Sequence, residues 1–365
     1  MVRPLPLAKP FQPSAGPMLV NLIILIAAAG VSAFCISLLI RKSRELGLVQ
    51  DPVARSSHTR PTPTGGGTGI VIGATLAGLV LPGLELDGCA VLALGILIAV
   101  VGLIDDWRPL SAKVRLIVQA AVVAGAIILA DATTILVPDG GLFGIVAAVL
   151  LLLGGLWWVN LFNFMDGIDG IAGQQAVFML LSALVISVLR DAEASQTWIW
   201  WMMAAVTAST LAFLAFNWPP ARIFMGDAGS TFLGFTIVMA AFMSMQTDWM
   251  TLPQWLLLAS IFACDATITL MVRFLRKQRL SEAHRSHAYQ RLSRRFGGAR
   301  PVSTSIACLN LFILFPLAAV MPDSVWAWAI VICVYGVISA AVLWAGAGLP
   351  DTENAHWQAY RRLLR

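Results

Sequence analysis

The chain has 365 residues, of which 59% are hydrophobic and only 12% charged, whereas an ordinary soluble domain carries about 25% charged residues. This composition excludes a soluble globular protein and predicts an all-α polytopic membrane protein. The net charge of +5 does not indicate nucleic-acid binding, because the cations fall in short loops between apolar segments. The five cysteines form no CxxC pair, so the sequence indicates neither a disulfide framework nor a zinc site.

Apolar segments follow one another along most of the chain and predict a single bundle of about eleven transmembrane helices. The basic run Arg41–Arg44 directly after the first segment favours a retained helix over a cleaved signal peptide. The bundle would cover residues 18–346, between a periplasmic segment (1–17) and a cytoplasmic tail (347–365). The segments lie at about 18–40, 69–84, 88–104, 113–130, 142–161, 171–189, 197–216, 230–246, 253–275, 302–321 and 325–346.

The distribution of cations predicts the orientation of the bundle. If the first helix ends in the cytoplasm, an odd number of helices puts the N-terminus outside and the C-terminus inside. Only Arg3, Lys9 and Arg190 of the 24 Lys and Arg residues then fall in periplasmic segments, as the positive-inside rule requires. All the polar clusters described next fall on the cytoplasmic side.

The first cluster, at residues 51–69, combines cations with a turn rich in proline and glycine. Arg55 and His58 precede Gly65, Gly66 and Gly67. Glycines allow a ligand to approach the backbone closely, and neighbouring cations suit a phosphate. A flexible turn with topological charges explains the same residues equally well.

The second cluster pairs two acids with two cations. Asp105 and Asp106 end an apolar helix, and such a carboxylate pair can hold a divalent metal or accept a proton. Lys113 and Arg115 open the next helix, where they would meet an anionic headgroup. The alternative is a solvated loop.

The third cluster is a row of polar residues at every third position: Asn160, Asn163, Asp166 and Asp169. On a helix the row rises about 13 Å, which is too far for one ion to contact both ends. The row therefore predicts the wall of a cleft, with local helix capping as the alternative.

The fourth and fifth clusters are an acidic turn and a basic loop. Asp227 lies between glycines at a predicted helix N-terminus, which plain N-capping would also explain. The loop 276–300 carries eight Lys and Arg residues with His284 and His287. Donors such as Arg285 and His287 suit a pyrophosphate, although the run of charge also suits anionic lipid.

Taken together, these clusters indicate Mg²⁺ with a phosphorylated substrate, because magnesium prefers one or two carboxylates plus phosphate oxygens and water. The rival class is a secondary transporter. Transporters place their sites near the bilayer midplane, often between repeated halves. Here the acids lie at helix ends, and the sequence has no internal repeat.

The order of these motifs resembles the bacterial polyprenyl-phosphate N-acetylaminosugar-1-phosphate transferases, the glycosyltransferase 4 family. The family includes undecaprenyl-phosphate GlcNAc-1-phosphate transferase and phospho-N-acetylmuramoyl-pentapeptide transferase. The likeness covers roughly residues 45–300. Its elements are DPxxRxxH…PTPxGGG, GLIDD, NxxNxxDGxDG, FMGDAGS and the basic loop with histidine.

The resemblance implies transfer of sugar 1-phosphate from a UDP-sugar to undecaprenyl phosphate, with release of UMP, in the bacterial inner membrane. The expected cofactor is Mg²⁺, with Mn²⁺ as an alternative ion, and a homodimer is left open. By motif match, Asp227 would be the main metal ligand, and Asp105 and Asp106 would lie near the lipid phosphate and the metal, with Asp106 as a second ligand. Asn163, Asp166 and Asp169 would contact the nucleotide or its metal, and His287 the pyrophosphate.

One departure from the family pattern bears on the sugar. Many relatives carry His-x-His-His in the basic loop, whereas here the stretch is His287-Ala288-Tyr289-Gln290. This resembles the branch that initiates O-antigen or similar surface glycans, and predicts FucNAc, QuiNAc or GlcNAc as the sugar. The alternative is the muramoyl-pentapeptide reaction of peptidoglycan synthesis.

The expected mechanism is direct attack of the lipid phosphate on the β-phosphorus of the donor. A phosphate monoester is mostly dianionic at pH 7, so a base such as Asp105 would contribute little. Positioning and charge neutralisation would dominate. A covalent phospho-enzyme formed on Asp227 or Asp105 is the alternative.

Overall fold

The computed structural model describes residues 15–50, 61–279 and 284–350, which are almost entirely helical. The helices are α1 (Ala15–Lys42), α2 (Gly67–Val80), α3 (Leu86–Trp107), α4 (Ala112–Leu129), α5 (Ala132–Leu136), α6 (Gly141–Met165), α7 (Ile171–Arg190), α8 (Trp198–Asn217), α9 (Asp227–Gln246), α10 (Leu252–Leu275), α11 (Ala288–Arg295), α12 (Ala299–Leu309), α13 (Phe315–Ala319) and α14 (Val325–Ala345). Two short strands, β1 (Val49–Gln50) and β2 (Thr62–Pro63), pair antiparallel with Val49 opposite Pro63.

Within the described residues, ten helices are long and apolar enough to cross a membrane, which confirms an all-α multi-pass membrane protein. A π-helical turn at Asn310–Leu314 joins α12 and α13 into one of these, Ala299–Ala319. The predicted segment 69–84 is shorter than expected. It forms α2, whose 14 residues rise about 21 Å, less than the roughly 30 Å of a hydrocarbon core. Pro82 explains the early end, because a proline disfavours helical backbone at the preceding residue, and Leu81 is extended.

The helices run alternately up and down, so that the ends carrying the polar motifs collect together. The C-terminal ends of α3, α6, α8 and α10 meet the N-terminal ends of α2, α4, α7 and α9; we call this the site end. At the other end, Trp198 Nε1 donates to Gly78 O (2.9 Å), joining the start of α8 to the end of α2. The contacts at the site end include Gly67 N to Met225 O, Asp227 N to Asp106, Arg115 to Asp105, Asn163 to Asp227, and Gly170 N to Asn217.

Helices α7 to α10 form the buried centre of the bundle, whereas only 17% of the membrane-length stretch of α1 and of α14 is buried. At the site end α2 and α9 touch through their backbones. A Cβ atom on Gly67 would collide with Gly229, and one on Gly229 would collide with Gly67. The two glycines therefore fix the start of α9, which carries Asp227, against the rest of the bundle.

Candidate active site

The start of α9 is held by the end of α3. Asp106 Oδ1 accepts a hydrogen bond from Asp227 N (2.9 Å), and Asp106 Oδ2 accepts one from Ala228 N (3.3 Å). Asp106 thus satisfies two of the N–H groups that a helix leaves unpaired at its N-terminus. Gly226 has φ +78°, and a Cβ there would lie 2.7 Å from Asp106 Oδ2. The glycine before Asp227 is therefore required by both backbone conformation and space.

Side chains of α6 and α4 contact the Asp227 carboxylate on α9, whose backbone is held by Asp106 of α3. Its Oδ1 accepts from Asn163 Nδ2 (2.9 Å) on α6, and Asn163 Nδ2 also donates to Ser230 Oγ (2.8 Å). Its Oδ2 lies 3.8 Å from Arg115 Nη1 on α4. The Asp227 side chain is 34% exposed, so one of its oxygens remains open to a ligand while the other is fixed.

Asp105, by contrast, has both carboxylate oxygens engaged. Oδ1 accepts from Leu110 N (2.6 Å), and Oδ2 pairs with Arg115 Nη1 (2.7 Å). The Asp105 side chain is only 7% exposed, whereas Arg115 is 41% exposed. Such short charge-assisted bonds are strong, so Asp105 presents the Arg115 guanidinium rather than a free base.

The first three residues of the polar row at the end of α6 have different surroundings. Asn160 Nδ2 donates to Gln119 Oε1 (2.8 Å) on α4. Asn163 binds Asp227, as described above. Burial, and the nearby carboxylates of Asp227, Asp106 and Asp169, raise the pKa of Asp166 well above its usual range. A carboxylate in such surroundings favours a bound cation.

Asp169, the last residue of the row, fastens a neighbouring loop. Its Oδ2 accepts from Ala221 N (2.9 Å), and its backbone oxygen accepts from Ser303 Oγ (2.8 Å) on α12. Arg300, also on α12, donates to Pro219 O through Nε (3.1 Å) and Nη2 (2.6 Å). Asp169 and α12 therefore join the loop after α6 to the proline-containing loop after α8.

His287 stands at the start of α11 and binds an acid that the sequence reasoning missed. Asp265, buried in α10, lies 3.3 Å from His287 Nδ1 through its Oδ1. A charged residue inside an apolar helix was the available signal, since such residues are rare and costly in membranes. His284 stacks on His287 at 5.0 Å. Burial, together with His287 and Arg273, lowers the pKa of His284 to about 3, so His284 is neutral at pH 7.

Several of these groups line a cavity of about 510 Å³ at the site end, whereas Asp106, Asp166, Asp169 and Asp265 are not part of its lining. Its lining combines polar side chains with apolar ones, the apolar ones including Ile98, Val101, Leu116 and Leu270. The predicted site residues that line the cavity are Asp105, Arg115, Asn160, Asn163, Asp227 and His287. The lining also includes three polar residues that were not predicted as site residues, namely Gln119, His284 and Gln290.

Other predicted residues lie elsewhere. Lys113 is exposed at the start of α4 and is absent from the cavity lining. Arg285 lines a second cavity of about 240 Å³, which shares His284 with the first. Arg55 and His58 lie outside the described residues.

The residues present fit a magnesium ion that the substrate helps to hold. Among the described residues, no cluster of three or more His, Cys, Asp or Glu side chains could hold a metal on its own. Magnesium does not need one, because it usually takes one or two carboxylates together with phosphate oxygens and waters. Asp227, with one open oxygen, and the nearby Asp166 provide such a partial set.

Residues 89–245 match the family model described as glycosyl transferase family 4. The chain is 31% identical over 317 residues to a protein named probable undecaprenyl-phosphate N-acetylglucosaminyl 1-phosphate transferase from Bacillus subtilis (strain 168), covering 82% of this chain and 86% of that protein. It is 31% identical over 253 residues to the decaprenyl-phosphate N-acetylglucosaminephosphotransferase of Mycobacterium leprae (strain TN), covering 63% of each. It is 31% identical over 217 residues to the phospho-N-acetylmuramoyl-pentapeptide-transferase of Desulforudis audaxviator (strain MP104C), covering 50% of this chain and 63% of that protein.

The first of these matches extends over most of both proteins, and the family model spans the motifs that converge on Asp227. The chain therefore belongs to glycosyl transferase family 4, the family of membrane-embedded polyprenyl-phosphate N-acetylaminosugar-1-phosphate transferases.

Proposed function

We propose that this protein transfers N-acetylaminosugar 1-phosphate from a UDP-sugar to undecaprenyl phosphate and releases UMP. The observation that carries the proposal is a cavity with both polar and apolar lining. Its polar residues, among them Asp227, Arg115 and His287, suit phosphate groups, and its apolar residues suit the first isoprene units of a lipid. The relatives are named as transferases of this class that act on polyprenyl phosphates.

Magnesium, with manganese as an alternative ion, is the proposed cofactor. When bound, the ion would neutralise charge on the donor pyrophosphate. Asp227 and Asp166 would hold it. Asp106 was expected to be a second ligand, but both of its oxygens accept backbone N–H groups. We therefore propose that Asp106 fixes the position of Asp227.

In the proposed reaction, the chain's own residues mainly position and neutralise charge. Arg115, held by Asp105, would bind the phosphate of undecaprenyl phosphate. An oxygen of that phosphate attacks the β-phosphorus, a new P–O bond forms, and the bond between the β-phosphorus and the bridging oxygen breaks. UMP leaves with that oxygen. Because the phosphate monoester is mostly dianionic at pH 7, no residue has to remove a proton.

The proposed setting is the bacterial inner membrane with the site end in the cytoplasm. Three features support it: the cations concentrate at the site end, the first helix ends in a basic run, and UDP-sugars are cytoplasmic substrates. We further propose that the reaction initiates O-antigen or another surface glycan, with FucNAc, QuiNAc or GlcNAc as the sugar. Tyr289 and Gln290 in place of two histidines support this pathway over the muramoyl-pentapeptide reaction.

A panel of donors tests the proposal. Purified protein is incubated with undecaprenyl phosphate, Mg²⁺ and UDP-GlcNAc, UDP-FucNAc, UDP-QuiNAc or UDP-MurNAc-pentapeptide, and UMP release is measured. We expect UMP with at least one of the first three donors and none with the Asp227→Asn variant. Turnover of the pentapeptide donor alone would contradict the surface-glycan pathway, and no UMP from any donor would contradict the reaction.

A further inference from the structure

Asp265 collects four hydrogen bonds inside the membrane-spanning helix α10. Its Oδ1 accepts from Ala288 N (2.9 Å) and Thr269 Oγ1 (3.1 Å), and lies 3.3 Å from His287 Nδ1. Its Oδ2 accepts from Tyr289 N (2.9 Å). The side chains of Asp265 and His287 are only 4% and 3% exposed. Three of the four hydrogen bonds to this buried carboxylate therefore come from one short segment, the start of α11, and the fourth comes from Thr269 on α10 itself.

Helix capping alone does not explain a carboxylate at this depth. A neutral Asn or Ser side chain also caps a helix, and at lower desolvation cost than a charged group. What a carboxylate adds is an obligatory acceptor facing the imidazole of His287. Because a carboxylate accepts and never donates, His287 Nδ1 must carry the hydrogen, which leaves Nε2 as the ring nitrogen available to the cavity.

Two aromatic rings also stack on the His287 ring. His284 stacks on it at 5.0 Å between ring centroids, and Tyr289 stacks at 5.5 Å. Tyr289 is itself fixed, because its hydroxyl donates to Phe164 O (3.0 Å) near the end of α6. These contacts restrict the orientation of the imidazole, which lines the cavity.

We propose that Asp265 is a positioning residue that holds His287 with its Nδ1–H on the carboxylate, so that Nε2 is the ring nitrogen that faces the pyrophosphate of the donor. The role of the donor rests on the proposed function. In metal sites, carboxylates that orient a histidine in this way change affinity or activity about 10–100-fold when mutated.

The first test is a double-mutant cycle with Asp265→Asn and His287→Gln. Asparagine keeps the size of Asp265 and an oxygen that can cap α11. We expect each single variant to lower kcat/KM for the UDP-sugar about 10–100-fold with KM for undecaprenyl phosphate unchanged. The double variant should be no worse than His287→Gln, because the two residues act through one contact. An unchanged kcat/KM in Asp265→Asn, or losses that multiply in the double variant, would overturn the proposal.

A cap at the other end of the same helix provides a matched control. Thr251 forms a capping box with Gln254 at the start of α10. Thr251→Ala should lower the melting temperature and leave kcat/KM for the donor unchanged. If Thr251→Ala lowers kcat/KM as much as Asp265→Asn does, the loss in both reports general destabilisation and the positioning role is wrong.

The second test does not depend on turnover. In protein labelled with ¹⁵N-histidine, the resonances of His287 are identified by their loss in His287→Gln. We expect Nδ1 to carry a hydrogen in the wild type and its chemical shift to change in Asp265→Asn. A wild-type Nδ1 without hydrogen overturns the proposal even if UMP is released. Conversely, a failure of the proposed function would appear as no UMP from the wild type while the NMR result remains readable.

Discussion

Asp106 Oδ1 accepts a hydrogen bond from Asp227 N at 2.9 Å, so the second acid of the Asp105–Asp106 pair caps the helix on which the main metal-ligand candidate stands. The two acids are separated by 121 residues in the chain and joined by one hydrogen bond. Asp106 thus fixes the backbone of Asp227 at the start of α9, and Asp227 presents its own carboxylate to the site.

The Asp227→Asn variant should abolish Mg²⁺-dependent turnover, because it removes the charge of the open oxygen. Asp106→Asn should lower kcat about 10–100-fold and leave the apparent affinity for Mg²⁺ unchanged. In that variant an amide NH₂ group replaces one acceptor and faces a backbone N–H. Titration of activity with Mg²⁺ measures both effects. A large rise in the Mg²⁺ concentration that Asp106→Asn requires would make Asp106 a ligand.

The contact between Asp105 and Arg115 predicts that substituting either residue weakens binding of undecaprenyl phosphate through the same interaction. Asp105→Asn and Arg115→Gln should each raise KM for undecaprenyl phosphate, and the double variant should be no worse than Arg115→Gln. The loss in Asp105→Asn should be independent of pH between 6.5 and 9, with pH tested in about half-unit steps. Recovery of Asp105→Asn at high pH would instead restore Asp105 as a general base. Lys113→Gln, at an exposed position on the same helix, is the control.

The backbone contact between α2 and α9 predicts a large effect of a single methyl group. Gly229→Ala should destabilise the protein by about 1–3 kcal/mol or prevent folding, because the added Cβ collides with Gly67. Gly154→Ala in α6 is the matched control, since nothing lies within 4 Å of a Cβ there. The control should be stabilising by about 0.5–1 kcal/mol. Melting temperatures in detergent measure both; equal effects would contradict the described contact.

The lowered pKa of His284 predicts how the stability of the folded protein depends on pH. Its pKa is lowered to about 3 in the folded protein, so below its ordinary value of about 6.5 the unfolded chain binds a proton that the folded protein does not. The stability contributed by neutral His284 is therefore present above pH 6.5 and is lost progressively as pH falls toward 3. The His284→Gln variant should lose less melting temperature between pH 7 and pH 5 than the wild type. An equal loss in both proteins would show that His284 does not contribute.

A labelling experiment separates the two chemical routes. If the lipid phosphate attacks directly, incubation with β-³²P-labelled UDP-sugar in the absence of undecaprenyl phosphate leaves no label on the protein. A phospho-enzyme on Asp227 or Asp105 would retain the label after denaturation. We expect no label, because the dianionic lipid phosphate is the nucleophile and Asp105 has both oxygens engaged.

The sequence predicted the acidic and amide residues that gather around Asp227 because membrane helices rarely carry such groups without a function. It did not predict what each one contacts. The capping of α9 by Asp106 and the fastening of a loop by Asp169 are contacts between distant parts of the chain, which local spacing does not encode. Asp265 was missed although the same physical rule applied to it, since it lies alone and within no recognisable motif. Pro82 explains why α2 ends early, but the apolar residues around Pro82 made segment hydropathy predict a longer helix.

The glycine pair Gly67 and Gly229 limits where this protein can vary. No side chain separates α2 from α9, so no substitution at that contact can adjust the shape of the site without moving a helix. The position of Asp227 is consequently fixed by the backbone contact between α2 and α9. Differences in donor preference among proteins of this architecture would then have to arise in another part of the lining, where α11 and the loop before it contribute His284, His287 and Gln290.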